Sequence, residues 1–392
     1  MSSRARRIAI PLAGLMAIGL TAGTIDSAAA GTTLATSTTS SGTARSGAVS
    51  RVASRVVSRN AATPAEQAVR FWTPDRVKRA TDHDNGLDLT TKGLKRAGKA
   101  PDGPAGSVPP IGAEKAESTK SRQVDLPTTV GRVFFTLPKA DPRAPKNWRY
   151  CSATSVQGTY RNLVATSAHC VYDTEHDTFY DNWIFIPSYW DGDTAWTGKA
   201  PYGIYAAKTF NAHDDFVVKA DYDYDYAFVN VYNGIKVDWQ KTGKRWRWTV
   251  ENVGRLGDNV GGQGFTWNRS TKLTVFSFGY PAGPHPDGDK PYSGRTMKWC
   301  YGRTRPMPES TAYDLQGHVG VKCAFTAGAS GGPLLVGYSS AARTGYLAGV
   351  NSVAWDTDGN DRYDHISSPY FNGDTYEVYK AAANRWTGNM PR

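Results

Sequence analysis

From Val130 to the C terminus, short runs of β-type residues recur with turn residues between them. This rhythm limits the fold more than any other property of the 392-residue chain. The runs cover 132–136, 162–167, 183–187, 226–231, 273–279, 318–325 and 346–353. Runs of that length bounded by Gly, Pro, Asn and Asp read as strands and turns. Many short strands with few helical stretches predict an all-β fold, a sandwich or barrels. Helical spacing returns only near the end, from Tyr376 to Trp386, with Asp374 as its cap. No repeat of fixed period is present.

The preceding 125 residues have a different character. Arg4, Arg6 and Arg7 lead into an apolar run from Ile8 to Leu20, and Ala28, Ala29 and Ala30 supply small residues for a cleavage site. Residues 1–30 therefore read as a secretory signal. The apolar run is shorter than the roughly 18–20 residues that a membrane span needs. Residues 31–60, rich in Ser, Thr, Ala and Gly, predict disorder. Residues 64–80 have helical spacing, with Thr63 as cap, Pro64 at the first position and Glu66 at the third; Pro74 divides them into two short helices. Gly, Pro and charge over 82–125 predict a linker. The expected organisation is a signal (1–30), a largely disordered prosegment and linker (31–125), and a folded domain (126–392) that divides near 250.

Of the 46 basic and 35 acidic residues, 18 and 10 lie in residues 1–125, so only +3 of the formal +11 belongs to the rest. This near-neutral remainder gives no electrostatic case for nucleic acid as a partner.

Three segments carry chemistry. They are Thr166-Ser167-Ala168-His169-Cys170, then Asp225-Tyr226-Ala227-Phe228, then Gly328-Ala329-Ser330-Gly331-Gly332-Pro333. A serine hydroxyl is a weak nucleophile until a neighbouring base takes its proton. Ser330 lies among small residues that let a backbone approach a substrate carbonyl, and His169 follows a strand-like run. The other histidines, His83, His176, His213, His285, His318 and His365, have no comparable setting. Asp221, Asp223 and Asp225 alternate with tyrosines, and spacing alone does not choose among them.

In this order and with these signatures, the chain resembles secreted trypsin-like serine peptidases of actinobacterial type, within the chymotrypsin-fold superfamily. The resemblance spans roughly residues 130–392. It implies two antiparallel β-barrels with a C-terminal helix, and hydrolysis of protein or peptide substrates through an acyl-enzyme. His169 would be the base, Asp225 the orienting acid and Ser330 the nucleophile, with the amides of Gly328 and Ser330 as the oxyanion hole. Asp225 is preferred because Asp-Tyr-Ala-Phe-Val has the family's form; Asp221 and Asp223 then read as solvent-facing strand residues. Ser352 would contact the acid, on a strand that pairs with extended substrate. Ala324, Phe325, Thr326 and Ala327 would form one wall of the primary pocket, and Ser352, Val353 and Ala354 another. No Asp stands six residues before Ser330, and relatives that cut after Glu have a His where this chain has Asn351. These features predict a preference for uncharged residues, which a loop residue such as His365 would change by adding charge. Animal enzymes carry an Asp just before the nucleophile to receive a new N-terminal ammonium; here that position is Ala329. Removal of the prosegment, acting as inhibitor or folding aid, is the expected control.

An exported chain with Cys151, Cys170, Cys300 and Cys323 is expected to form two disulfides, and the pairs closest in sequence, 151–170 and 300–323, are favoured. Zinc is a weaker reading, since no CxxC spacing occurs. No metal or cofactor is expected. The run Asp356 to Asp361 has calcium-like spacing but lacks a downstream Glu, and reads as a polar turn. Lys244 to Trp248 reads as a structural strand, and Asn268-Arg269-Ser270 matches a glycosylation pattern that means little in a bacterial context. Two rival functions remain. A catalytically silent binding module is countered by the complete set of catalytic residue types. An esterase would need its Asp and His after the serine. The expected product is a secreted monomer, free of the membrane once the signal is removed.

Overall fold

The computed structural model describes residues 56–83, 89–90, 100–110, 125–190, 202–242, 245–311 and 313–391, with the side chains of Thr90 and of 238–248 excepted. The expected signal at 1–30 lies outside them. Among the described residues, no helix is long and apolar enough to cross a membrane.

Six strands close the first barrel. Tyr205–His213 pairs with Asp181–Pro187, then follow Val130–Thr136, Trp148–Val156, Leu163–Thr166 and Ala227–Val231, which pairs back onto Tyr205–His213. Every pairing in the ring is antiparallel. Alternation decides the interior: Val133 and Phe135, Cys151 and Ala153, Trp183 and Phe185, Tyr205 and Ala207 share one core cluster. The alternate residues Phe134, Ile184, Ile186, Ala206 and Phe228 belong to a second cluster outside the barrel. Both faces are therefore apolar, because neighbours cover the outer one.

The second barrel is assembled from two sheets. One runs in the order Lys298–Arg303, Thr274–Gly279, Pro333–Ser339, Thr344–Val350, Gly264–Trp267 and Gly106–Val108; the other in the order Arg305–Pro306, His318–Lys322, His365–Pro369, Val353–Asp356 and Leu89–Thr90. Val275, Val321, Phe325, Leu334 and Ile366 pack between them. A disulfide from Cys300 to Cys323 joins the two sheets. The other disulfide, Cys151 to Cys170, lies inside the first barrel, and all four thiols are consumed, which removes the zinc reading. A separate hairpin, Gly234–Thr242 with Arg245–Gly254, lies between the barrels in sequence and contains Arg245–Trp248 of the stretch read as a strand; Lys244 lies outside the described residues.

The final helix is Gly373–Ala383. Its cap is Asn372, in a reciprocal capping box with Thr375, so the Asp374 assignment is corrected by two positions. Tyr379 stacks on Phe265 at 4.2 Å and meets Phe228 edge-on at 5.5 Å, which sets the helix against both barrels. The predicted two barrels and terminal helix are thus the architecture observed.

Parts of the N-terminal region differ from expectation. Val56–Asn60 adds an antiparallel strand to Tyr205–His213. Ala65–Phe71 and Pro74–Arg79 are the two helices that Pro74 predicts, but Pro64 is the cap residue of the first, and Thr63 instead bonds Asp181 and Asn182. Trp72 between them is fully buried against Phe134 and Trp148, and its Nε1–H donates to Asn182 O at 2.6 Å. Leu89–Thr90 and Gly106–Val108 each extend a sheet of the second barrel, within a stretch read as linker. Composition misleads here because strand addition is satisfied by backbone groups, and one buried tryptophan contributes as much apolar area as several small residues.

Candidate active site

His169 sits on the short turn Ala168–Cys170 that ends the strand Leu163–Thr166, and the Cys151–Cys170 bond anchors the next residue. Its backbone N–H donates to Asp225 Oδ1 at 2.8 Å, and its Nδ1 lies 2.8 Å from Asp225 Oδ2. Ser352 Oγ donates to the same Oδ2 at 2.5 Å. The Asp225 carboxylate is fully buried. Burial alone would raise its pKa, but the His169 ring and the hydrogen bonds from His169 and Ser352 outweigh it and hold the group below the ordinary range. A carboxylate accepting at Nδ1 assigns the proton to that nitrogen and the lone pair to Nε2. Nε2 is itself buried and has no hydrogen-bond partner among the described residues.

Asp221 and Asp223 are not solvent-facing strand residues. They belong to a single turn of 3₁₀-helix, Tyr222–Tyr224, which Asp221 caps. Asp223 is buried and accepts the amides of Gln316 and Gly317. One aspartate orients the histidine, and another ties the same turn to the second half of the chain.

Ser330 lies on a turn that two glycines make possible. Gly328 has φ +94°, and a Cβ there would come 2.7 Å from Tyr280 O. Gly331 has φ +79°, and a Cβ there would come 2.0 Å from Thr166 Oγ1 and 3.0 Å from Ser167 N. The serine turn therefore abuts the end of the strand that carries His169. Ser152 N–H donates to Ser330 O at 2.8 Å, fastening the turn to the first barrel. Within the turn, Ala329 N–H bonds Thr326 O, Gly331 N–H bonds Asn351 O and Gly332 N–H bonds Ala329 O. The amides of Gly328 and Ser330 have no partner among the described residues.

The pocket walls that the resemblance implies divide by exposure. Ala324 is exposed and Ala327 half-buried, whereas Phe325, Thr326, Ser352 and Val353 are buried and Ala354 is intermediate. Phe325 belongs to the second-barrel core and meets Tyr292 edge-on. His365 is a strand residue, not a loop residue. Its Nδ1 lies 3.0 Å from Asp364 Oδ1, and strand alternation sets it on the face opposite Ile366, which packs in the same cluster as Phe325. Asp356 accepts the amides of Gly359, Asn360 and Asp361, so this carboxylate closes its own turn.

Sequence reasoning passed over several residues. Ser152 Oγ accepts from Tyr280 N–H at 2.9 Å and donates to Gly328 O at 2.8 Å. The Tyr150 ring carries the Arg132 guanidinium 3.3 Å from its centroid, and its hydroxyl bonds Tyr280 O. Their adjacency to Cys151 was the available signal. His83 had none. Thr81–Asp82 pairs in parallel with Arg149 and Tyr150, and His83 N–H donates to Tyr150 O at 3.0 Å. The His83 ring stacks on His169 at 5.9 Å and 26°, and Tyr180 OH lies 3.1 Å from its Nε2. Burial, then the neighbouring His169 and Arg149, push the His83 imidazole down to about 3. Tyr222 lies beside the His169 ring at 6.3 Å. A Cβ at Gly283 would come 3.1 Å from Asp82 Oδ2 and 2.8 Å from Ala327 Cβ, so the 81–83 segment also passes close to the serine turn.

No family model and no curated protein matches the chain. Solved structures similar to it include protease Anisep from Arthrobacter nicotinovorans, 26% identical over 66% of this chain and 97% of its own, with a TM-score of 0.49. A thermostable serine protease, AL20, from an extremophilic microorganism is 22% identical over 65% of this chain and 97% of its own, with a TM-score of 0.49. A Glu endopeptidase in complex with MPD is 14% identical over 70% of this chain and 99% of its own, with a TM-score of 0.44.

Proposed function

We propose that this chain is a secreted serine endopeptidase, made with a prosegment that occupies its own catalytic cleft. The observation that carries the reading is the buried Asp225 carboxylate holding Nδ1 of His169, beside a serine turn whose amides alternate between bonded and unbonded. In the proposed reaction, His169 Nε2 takes the Ser330 hydroxyl proton as Oγ attacks the peptide carbonyl. Asp225 keeps the ring oriented and stabilises the imidazolium. The amides of Gly328 and Ser330 receive the developing oxyanion. His169 then gives its proton to the leaving amine, and water, deprotonated by the same nitrogen, releases the acyl group. A substrate strand would add along Ser352, Val353 and Ala354.

Latency follows from where residues 81–83 lie. A polypeptide substrate cannot reach His169 while His83 stacks on its ring, and Asp82 blocks the approach beside Ala327. Removal of a prosegment ending between about residues 100 and 130 would clear the cleft. Ala324 and Phe325 provide no carboxylate to match a basic side chain, so uncharged residues are the expected preference.

The test uses protein purified from culture medium. A fluorophosphonate should label Ser330 in the processed form, and cleavage of a mixed peptide library should be lost in Ser330→Ala. Label on another residue, or undiminished cleavage in that variant, removes the assignment. Cut sites dominated by Lys or Arg would overturn the neutral-pocket reading alone.

A further inference from the structure

We infer that Asn351 is a positioning residue for the nucleophile, holding the Ser330 turn in register with both other catalytic segments; this rests on the peptidase reading above. Asn351 is fully buried and offers no atom to solvent. Its side-chain oxygen accepts from Ser277 Oγ at 2.8 Å. Its side-chain Nδ2 donates to Phe278 O and to Ala329 O, both at 3.1 Å. Ala329 is the residue just before Ser330. The backbone of Asn351 fixes the other flank: its carbonyl accepts from Gly331 N–H and its N–H donates to Gly332 O, both at 2.7 Å.

The same carbonyl accepts from Ser167 Oγ at 2.6 Å, two residues before His169. The next residue along, Ser352, bonds Asp225. Asn351 and Ser352 together therefore touch the serine turn, the histidine turn and the aspartate. Ala329, with only a methyl group, has no polar side chain to fasten the turn from within.

The chemistry requires an amide. Two carbonyl oxygens converge on Nδ2 and one hydroxyl donates to Oδ1, so only the orientation with nitrogen toward Ala329 satisfies every partner. A carboxylate of the same shape would set negative charge against two carbonyls. An apolar isostere would leave Ser277 Oγ without its acceptor, in a site that is fully buried. Either change takes the side-chain donor from the Ala329 carbonyl and leaves it only the Gly332 N–H at 3.0 Å. A peptide shift there moves the Ser330 amide and Oγ together, by distances that matter to the rate.

Asn351→Leu, Asn351→Asp and Ser277→Ala are compared in the processed enzyme. Asn351→Leu should lower kcat about 100-fold with KM within about twofold. Fluorophosphonate labelling should slow in parallel. Asn351→Asp should lose at least as much, and Ser277→Ala, which leaves the asparagine but frees its oxygen, about fivefold. Hydrogen exchange at the Gly331 and Gly332 amides should quicken in each variant, a readout that needs no activity. If the Asn351 variants do not fold, Ser277→Ala decides. A folded variant with unchanged kcat and exchange overturns the inference. A raised KM at unchanged kcat overturns it too, by making Asn351 a pocket residue. Absence of hydrolysis and labelling in the wild type would instead defeat the peptidase reading, while the exchange data would still judge the turn.

Discussion

Two short segments converge on the same candidate catalytic residues, and they are built differently. Thr81–His83 reaches His169 from the N-terminal region through a two-residue parallel pairing with Arg149 and Tyr150, hydrogen bonds of Thr81 with Trp148 O and Arg149, and contacts of the His83 ring with His169, Phe135 and Tyr180. Asn351–Ser352 reaches the site from within the second barrel, through buried hydrogen bonds to Phe278, Ala329, Gly331, Gly332, Ser167, Ser277 and Asp225. The first hydrogen bonds are half-buried or exposed, and the His83 ring among them titrates. The second are many, dry and neutral apart from Asp225. A segment proposed to leave is held by contacts that can be weakened one at a time. A segment that must stay is held where each loss strands a buried polar group.

The comparison can be broken most directly at the nucleophile between them. Ser330→Ala should lower hydrolysis by about five to six orders of magnitude while the fold persists, and it should keep the N-terminal region attached if removal is autocatalytic. Intact-mass analysis of the secreted variant checks the second point; processing at the wild-type rate would assign removal to another protease.

The permanent segment is tested at Ser352. Ser352→Ala removes one of three donors to Asp225, and kcat should fall about tenfold with melting temperature little changed. An unchanged kcat would show that the two bonds from His169 suffice.

The removable segment is tested at His83. In the unprocessed protein, His83→Ala should raise turnover of a small ester substrate about fivefold, because the ring stack and the Tyr180 contact are lost together. Equal turnover in the two unprocessed proteins would mean that the strand pairing alone excludes substrate.

The smallest expected effect is the pH response of that same segment. His83 has a pKa of about 3 when packed against His169 and Arg149, against roughly 6.5 when free. The free form thus binds the proton more readily, so docking is fully favoured above pH 6.5 or so and weakens as pH falls toward 3. In the Ser330→Ala protein, hydrogen exchange at residues 81–83, corrected for its intrinsic rate, should be about twofold faster at pH 6.5 than at pH 8. The difference should vanish in the double variant with His83→Ala; its persistence there would point to His169 or another group.

Local pattern determined a large share of this molecule. Strand runs such as Leu163–Thr166 and Thr274–Gly279 were legible because β-type residues cluster between turn residues within a short window. The split at Pro74 follows from a missing N–H, and the candidate catalytic segments were legible because each confines its chemistry to four or five neighbouring residues. Tertiary structure alone decided what depends on distant partners. Asp223 and Asp225 look alike in sequence, yet one accepts amides from Gln316 and Gly317 and the other faces His169, across separations no local window spans. His83 looked like one polar residue in a linker, and only the pairing of Thr81–Asp82 with Arg149–Tyr150 brings it to the His169 ring. Asn351 looked like a pocket position and is a buried brace. Its direction was set by which carbonyls the fold brought to its amide, because a hydrogen bond requires a partner within about 3 Å and sequence spacing carries no such distance.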